Sequence, residues 1–212
     1  MLFRSVWVGG LVTTTDAGMA VPDWPTTYGY NLFLYPWQTW LSGPWDLFVE
    51  HGHRLLAATV GLLAIGLVIV LWRCEPRRWV RGLGWVALAL VIAQGVLGGM
   101  RVLLDERTLA MLHGCIGPLF FALAVALMVV TSKSWQGSSD SPSFQGGARG
   151  GFAPLVRRLA VATCILMYLQ IVLGAVLRHV PVEGEPATFA LAVRFHLAIS
   201  VQIGRASCRE RV

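Results

Sequence analysis

The chain has 212 residues, of which 56% are hydrophobic and 13% charged, and its formal net charge is +6. A soluble domain of this size carries about 25% charged residues, so the composition excludes an ordinary soluble globular protein. It also argues against a nucleic-acid binder, because the Arg residues gather at the ends of apolar runs, where they orient membrane helices, and not on one basic face.

A hydrocarbon core about 30 Å thick takes roughly 20 helical residues. Read in chain order, Val6–Val12 is the tail of a first span. Four full spans follow at about Leu47–Trp72, Gly82–Leu104, Thr108–Val130 and Leu155–Leu177. A sixth opens near Ala187 and is cut after Val201. The expected fold is all-α and polytopic: a four-helix transmembrane bundle over residues 1–131, then the start of a second, similar bundle over 155–202. Between them, residues 132–154 are rich in Ser, Gly and Pro and read as a flexible cytoplasmic linker.

The loops alternate in charge. Thr14–Glu50 contains no Lys or Arg, whereas Arg73, Arg77, Arg78 and Arg81 follow the second span and Lys133, Arg149, Arg157 and Arg158 follow the fourth. Positive loops stay cytoplasmic, which turns Thr14–Glu50, the Arg101–Arg107 turn and Arg178–Arg194 outward. The two ends carry a separate expectation. Met1–Ser5 (MLFRS) and Ile203–Val212 (IGRASCRERV) match translations of common sequencing adapters, which leaves Val6–Val201 as coding region, with Gln202 at the junction. Without Arg4, Arg205, Arg209, Arg211 and Glu210 the net charge falls from +6 to +3. No cleavable signal peptide is visible. Cys74, Cys115 and Cys164 show no metal-type spacing and read as small apolar core residues.

Ionisable groups inside a span are costly and face a bundle interior with a partner. His53 lies near the outer end of the second span, and His113 lies six residues past Arg107, about 9 Å into the fourth. Two imidazoles at one depth on different helices can supply both axial ligands of a heme iron; a hydrogen bond to a neighbouring helix is the plainer alternative. Glu50 shares a helix face with His53 and suits proton movement or stabilisation of positive charge. Arg54 suits a heme propionate or, equally, an ion pair with Glu50. Gly95, Gly98 and Gly99 suggest close helix packing, including the GxxxG of Gly95 and Gly99, or clearance for a porphyrin edge. Pro118 is expected to kink the fourth span. His51 and His179 read as interfacial. Gln94–Gly98 (QGVLG) and Gln170–Gly174 (QIVLG) echo each other, which points to internal duplication; on that basis His196 corresponds to His53.

These residues resemble the bacterial heme A synthase family. The carriers are Gly9–Pro25 (GGLVTTTDAGMAVPDWP), Glu50-x-x-His53-Arg54, Gln94–Arg101 (QGVLGGMR), His113, and Leu173–His179 (LGAVLRH) followed by His196. The resemblance implies eight helices in two similar halves, in a bacterial plasma membrane. It implies oxidation of a methyl group of heme O to a formyl group, giving heme A for cytochrome oxidase. It assigns His53 and His113 to the substrate heme and its iron, Glu50 to catalysis, and His196 to a heme b. It further implies heme O synthase, an electron donor such as ferredoxin, and a homo-oligomer as partners. Many relatives carry a Cys pair in the first outer loop; Thr14–Glu50 has none. The second heme b ligand would lie beyond this chain, which as written is expected to be inactive. An electron-transfer membrane cytochrome b, a non-enzymatic heme carrier and a proton-relaying transporter are the competing functions.

Overall fold

In the computed structural model, residues 2–132, 135, 152–179 and 186–209 are described. Among the described residues seven α-helices run in order: α1 Leu2–Thr14, α2 Trp37–Ser42, α3 Trp45–Cys74, α4 Arg78–Leu104, α5 Arg107–Val130, α6 Phe152–His179 and α7 Pro186–Arg209. A 3-10 turn at Ala17–Met19 follows α1. The expected linker falls almost wholly outside the described residues. The chain divides into two compact units, 1–136 and 137–212.

Helices α3, α4, α5 and the Val161–His179 part of α6 are long and apolar enough to cross a membrane. The protein is therefore a polytopic helical membrane protein, as the apolar runs predict. Large apolar side chains such as Leu62, Ile69, Trp85, Ile92 and Met128 point outward. A surface of this kind suits lipid, where helices associate through packing and not through exclusion of water.

In the first unit α4 packs against both α3 and α5, and α1 packs against α3. Leu71, Val80, Ala87 and Leu127 form one buried cluster, and Val12, Ala17 and Val49 form another. In the first unit the α3–α4 turn is fixed by side chains and the α4–α5 turn by backbone conformation. The α3–α4 turn holds a Glu75–Arg77 ion pair at 2.6 Å, and the Arg77 guanidinium also donates to the Val130 carbonyl at the end of α5 (2.9 Å). Hydrogen bonding from Arg77 holds the Glu75 carboxyl down to about 2. The α4–α5 turn closes on Asp105, whose positive φ of 48° ends α4 with a left-handed residue. Pro118 sits inside an otherwise continuous α5.

The segment between α1 and α3 is ordered by Asp23. Its Oδ1 accepts the Tyr28 N–H (2.8 Å), and its Oδ2 accepts the Gly29 N–H (2.9 Å) and the Thr26 hydroxyl. Thr27 and Tyr30 exchange backbone hydrogen bonds across a turn whose central residues, Tyr28 and Gly29, both have positive φ, which is the tight hairpin geometry. Burial pulls the Asp23 carboxyl upward, but the donors from Gly29, Thr26 and Tyr28 outweigh it, so the net shift is down. A depressed folded-state pKa gives stability that is present above the usual carboxylate value and is lost as pH falls through the folded value. Asp23→Ala is expected to loosen this loop by about 1–3 kcal/mol. Protection of the Tyr28 and Gly29 amides against exchange, relative to their free-peptide rates, will then be lost at neutral pH, whereas the parent loop loses it only once Asp23 is protonated in acid.

Two expectations fail here. His51 is not interfacial: it is 1% exposed. Its Nδ1 lies 3.0 Å from the Thr27 hydroxyl, and the Tyr35 and Trp40 rings pack on it at 5.0 and 5.3 Å. The loop folds back over the start of α3 and covers the histidine, which helix phase alone cannot foresee. Of the cysteines read as core residues, only Cys115 is buried; Cys74 and Cys164 are exposed, and in a bundle within lipid an apolar side chain has no need to turn inward.

Candidate functional site

Three imidazoles each lie against a glycine of the preceding long helix. A Cβ on Gly9 would stand 3.0 Å from the His53 ring, one on Gly98 3.1 Å from the His113 ring, and one on Gly174 2.9 Å from the His196 ring. The glycines of α4 therefore make room for rings. Gly98 seats His113, and its neighbour Gly99 seats Trp24, whose indole a Cβ would strike. Gly95 faces open space, so the Gly95–Gly99 pair is not a helix-packing face.

In the first unit the centroids of His53 and His113 stand 6.4 Å apart with their planes at 88°. His113 Nδ1 lies 3.1 Å from the Gln94 carbonyl. A carbonyl can only accept, so Nδ1 carries the proton and Nε2 keeps its lone pair. The Gln94 side-chain amide donates in return to the His113 carbonyl (2.9 Å). Residue 117, one turn beyond, must be small: a Cβ there would lie 3.0 Å from that amide nitrogen. His53 Nδ1 is buried and has no hydrogen-bond partner. An unpaired buried polar atom costs about 1–3 kcal/mol, so its presence asks for a ligand.

The pair fits a metal carried by a macrocycle. A metal about 2.0–2.1 Å from each nitrogen, with each ring centre roughly 1.1 Å behind that nitrogen, separates the two centres by about 6.3 Å. Among the described residues no group of three or more His, Cys, Asp or Glu is placed to hold a bare ion. Two imidazoles would suffice only where the other ligands come with the metal, as in heme.

On α3, Glu50 lies one turn before His53 and Arg54 directly follows it. Glu50 is 2% exposed. Its Oε1 accepts from Arg54 (2.7 Å) and its Oε2 from the Val21 N–H (2.9 Å). Arg54 further donates to the carbonyls of Asp23 (2.6 Å), Thr26 (3.0 Å) and Val21 (2.7 Å). Its four terminal N–H groups are thus engaged within the protein, and the ion pair forms. From α4, Arg101 donates to the Gly18 carbonyl (2.6 Å). Together Glu50, Arg54 and Arg101 fasten the loop across the end of the unit, a role for Arg101 that sequence reasoning missed.

The second unit repeats part of this arrangement. Gln170 donates to the His196 carbonyl (2.5 Å), as Gln94 does to that of His113. His196 Nδ1, like that of His53, is buried without a partner. The QxxLG echo thus marks the same local geometry, glutamine on the histidine's backbone and glycine under its ring, and by it His196 corresponds to His113 and not, as expected, to His53. His179 ends α6 with its Nδ1 2.8 Å from the Ala175 carbonyl of its own helix.

The model of the cytochrome oxidase assembly protein family (COX15-CtaA) matches residues 45–193. The chain is 28% identical over 182 residues to the heme A synthase of Symbiobacterium thermophilum, covering 84% of this chain and 56% of that protein. It is 29% identical over 178 residues to the heme A synthase of Shouchella clausii, covering 81% and 53%. A third similarity, 29% over 143 residues, is to a protoheme IX farnesyltransferase of Halobacterium salinarum, covering 67% of this chain and 30% of that protein. The chain spans about half the length of the heme A synthases it matches. No solved structure matches it.

Proposed function

The chain belongs to the cytochrome oxidase assembly protein family, and from that membership and its paired imidazoles we propose that it is the larger part of a heme A synthase. The substrate is heme O, one methyl group of which becomes a formyl group. The observation that carries this reading is the 6.4 Å separation of His53 and His113 with an unpartnered nitrogen on His53.

His53 and His113 hold the substrate heme. His113 presents Nε2, because Gln94 accepts at Nδ1 and fixes the tautomer. The heme iron supplies the redox chemistry of the oxidation. Glu50 is the proton-handling group beside it: a carboxylate offers about four lone-pair sites, and two of Glu50's are filled by Arg54 and Val21. His196 is one ligand of a heme b. Arg54 holds the loop that keeps water from the pair.

Converting the methyl to a formyl group is a four-electron oxidation that adds one oxygen atom, for which a separate redox partner such as ferredoxin would exchange electrons with the protein, and the protein works as a homo-oligomer in a bacterial plasma membrane. Heme O synthase is the expected supplier of substrate. The farnesyltransferase similarity supports that association, since a segment like this one makes up 30% of a protein named for adding a farnesyl group to protoheme.

Pigment extraction from cells expressing the uninterrupted parent gene tests the proposal. Heme A, or a hydroxylated precursor, in the purified protein is the expected result. Protoheme alone would indicate an electron-transfer cytochrome, and no heme at all would contradict the reading.

A further inference from the structure

We propose that Arg101, and not Arg54, is the cation that receives a heme propionate at the His53–His113 site. The proposal rests on the heme reading above and adds the group that fixes which edge of the macrocycle points outward.

Arg54 is the expected propionate partner by position, but its four terminal N–H groups already hold Glu50 and three backbone carbonyls. Arg101 is in the opposite condition. A guanidinium offers five N–H donors, and among the described residues Arg101 makes one hydrogen bond, to the Gly18 carbonyl. It forms no ion pair there: the two pairs in the described residues are Arg54–Glu50 and Arg77–Glu75. The side chain is nonetheless half-buried, and on α4 it follows by one turn the Gly98 that lies against the His113 ring.

Glu50 and Arg54, which with Arg101 fasten the loop, already neutralise each other in an ion pair. The three together carry one uncompensated positive charge. Charges in such a setting are paired, and among the described residues no carboxylate pairs with this one. A carboxylate arriving with the macrocycle would supply it, through a planar fork suited to two-point contact. The seat for that fork is built from both sides. Gly18 has no side chain to fill the space, and a Cβ there would lie 3.0 Å from Arg101 Nη1. Gly98 and Gly99, just before Arg101 on α4, seat His113 and Trp24. The macrocycle's propionate edge then lies toward the 15–44 loop and its apolar substituents lie toward the helices.

Ferric protoheme and its dimethyl ester, which lacks both carboxylates, are the probes. Each is titrated into the purified full chain in detergent, and the signal assigned to the site is the low-spin absorbance that His113→Ala removes. The parent chain is expected to bind the free acid roughly 10–100-fold more tightly than the ester, the range of a charge-assisted hydrogen bond. Arg101→Gln keeps a donor for Gly18 and removes the charge; it should bind both probes alike. Arg101→Lys keeps the charge and should retain a preference for the acid. Arg54→Gln should retain the parent's preference, even where the loop is looser.

Equal binding of acid and ester by the parent overturns the proposal, as does an undiminished preference in Arg101→Gln. If Arg101→Gln does not fold, the lysine variant decides, and loss of preference there also overturns it. Absence of any His113-dependent binding of either probe is a different failure and removes the heme reading itself.

Discussion

A chain carrying His53→Ala or His113→Ala will lose the low-spin, two-imidazole signature of the heme held by the first unit. With one axial imidazole gone, the other 6.4 Å-spaced ring can hold the iron from one side only, and the spectrum shifts to high spin. Electron paramagnetic resonance and optical spectra of the heme-loaded variants measure this. The two substitutions should differ without heme. His53 Nδ1 is buried and unpartnered, a burden of about 1–3 kcal/mol, so its removal offsets part of the packing lost. His113 is hydrogen-bonded to Gln94 from both its ring and its backbone, and truncating its ring leaves the Gln94 carbonyl without that donor. Thermal unfolding of the apo chain in detergent should therefore fall further for His113→Ala than for His53→Ala. A residue that weakens the empty protein yet is needed to hold the iron is placed for function.

The second large effect is at Glu50. In the full-length protein, Glu50→Ala should stop conversion of heme O while leaving heme bound, because on the proposed reading the imidazoles and not the carboxylate would hold the iron. Glu50→Gln is the sharper test. It can still accept one of the two hydrogen bonds that Arg54 and Val21 donate, so the loop is disturbed less, but it cannot take up a proton as a carboxylate does. Loss of a positioned acid–base group costs about 100- to 10,000-fold in rate. Conversion assayed by pigment analysis should fall within that range for the glutamine variant. An unchanged output of heme A from either variant would remove Glu50 from the chemistry and leave it as a fastener of the loop.

The spanning helices were legible because lipid imposes one rule, about 20 apolar residues in helix, and Leu47–Trp72, Gly82–Leu104 and Thr108–Val130 each obey it. The structure lengthens these by a few residues, to Trp45–Cys74, Arg78–Leu104 and Arg107–Val130, since helix ends reach into the interface where polar residues are tolerated. The closeness of His53 and His113 was legible for a related reason. An imidazole in a span needs a partner, and two at one depth find each other. What lay beyond reach depends on the loop. Residues 15–44 have neither helical nor strand periodicity, so nothing in their pattern shows that Thr27, Tyr35 and Trp40 enclose His51. The same fold decides which arginine is engaged: Arg54 meets three loop carbonyls and Arg101 one. The glycines were visible, but their purpose was not. Spacing suggests helix contact for Gly95 and Gly99, whereas coordinates show that Gly98 and Gly99 accommodate His113 and Trp24.

An experimental density map of the heme-loaded protein bears most directly on the paired imidazoles. The account predicts iron between α3 and α5, about 2 Å from one nitrogen of His53 and from Nε2 of His113. Heme resolved elsewhere, with these two rings still facing each other and no iron between them, would contradict it.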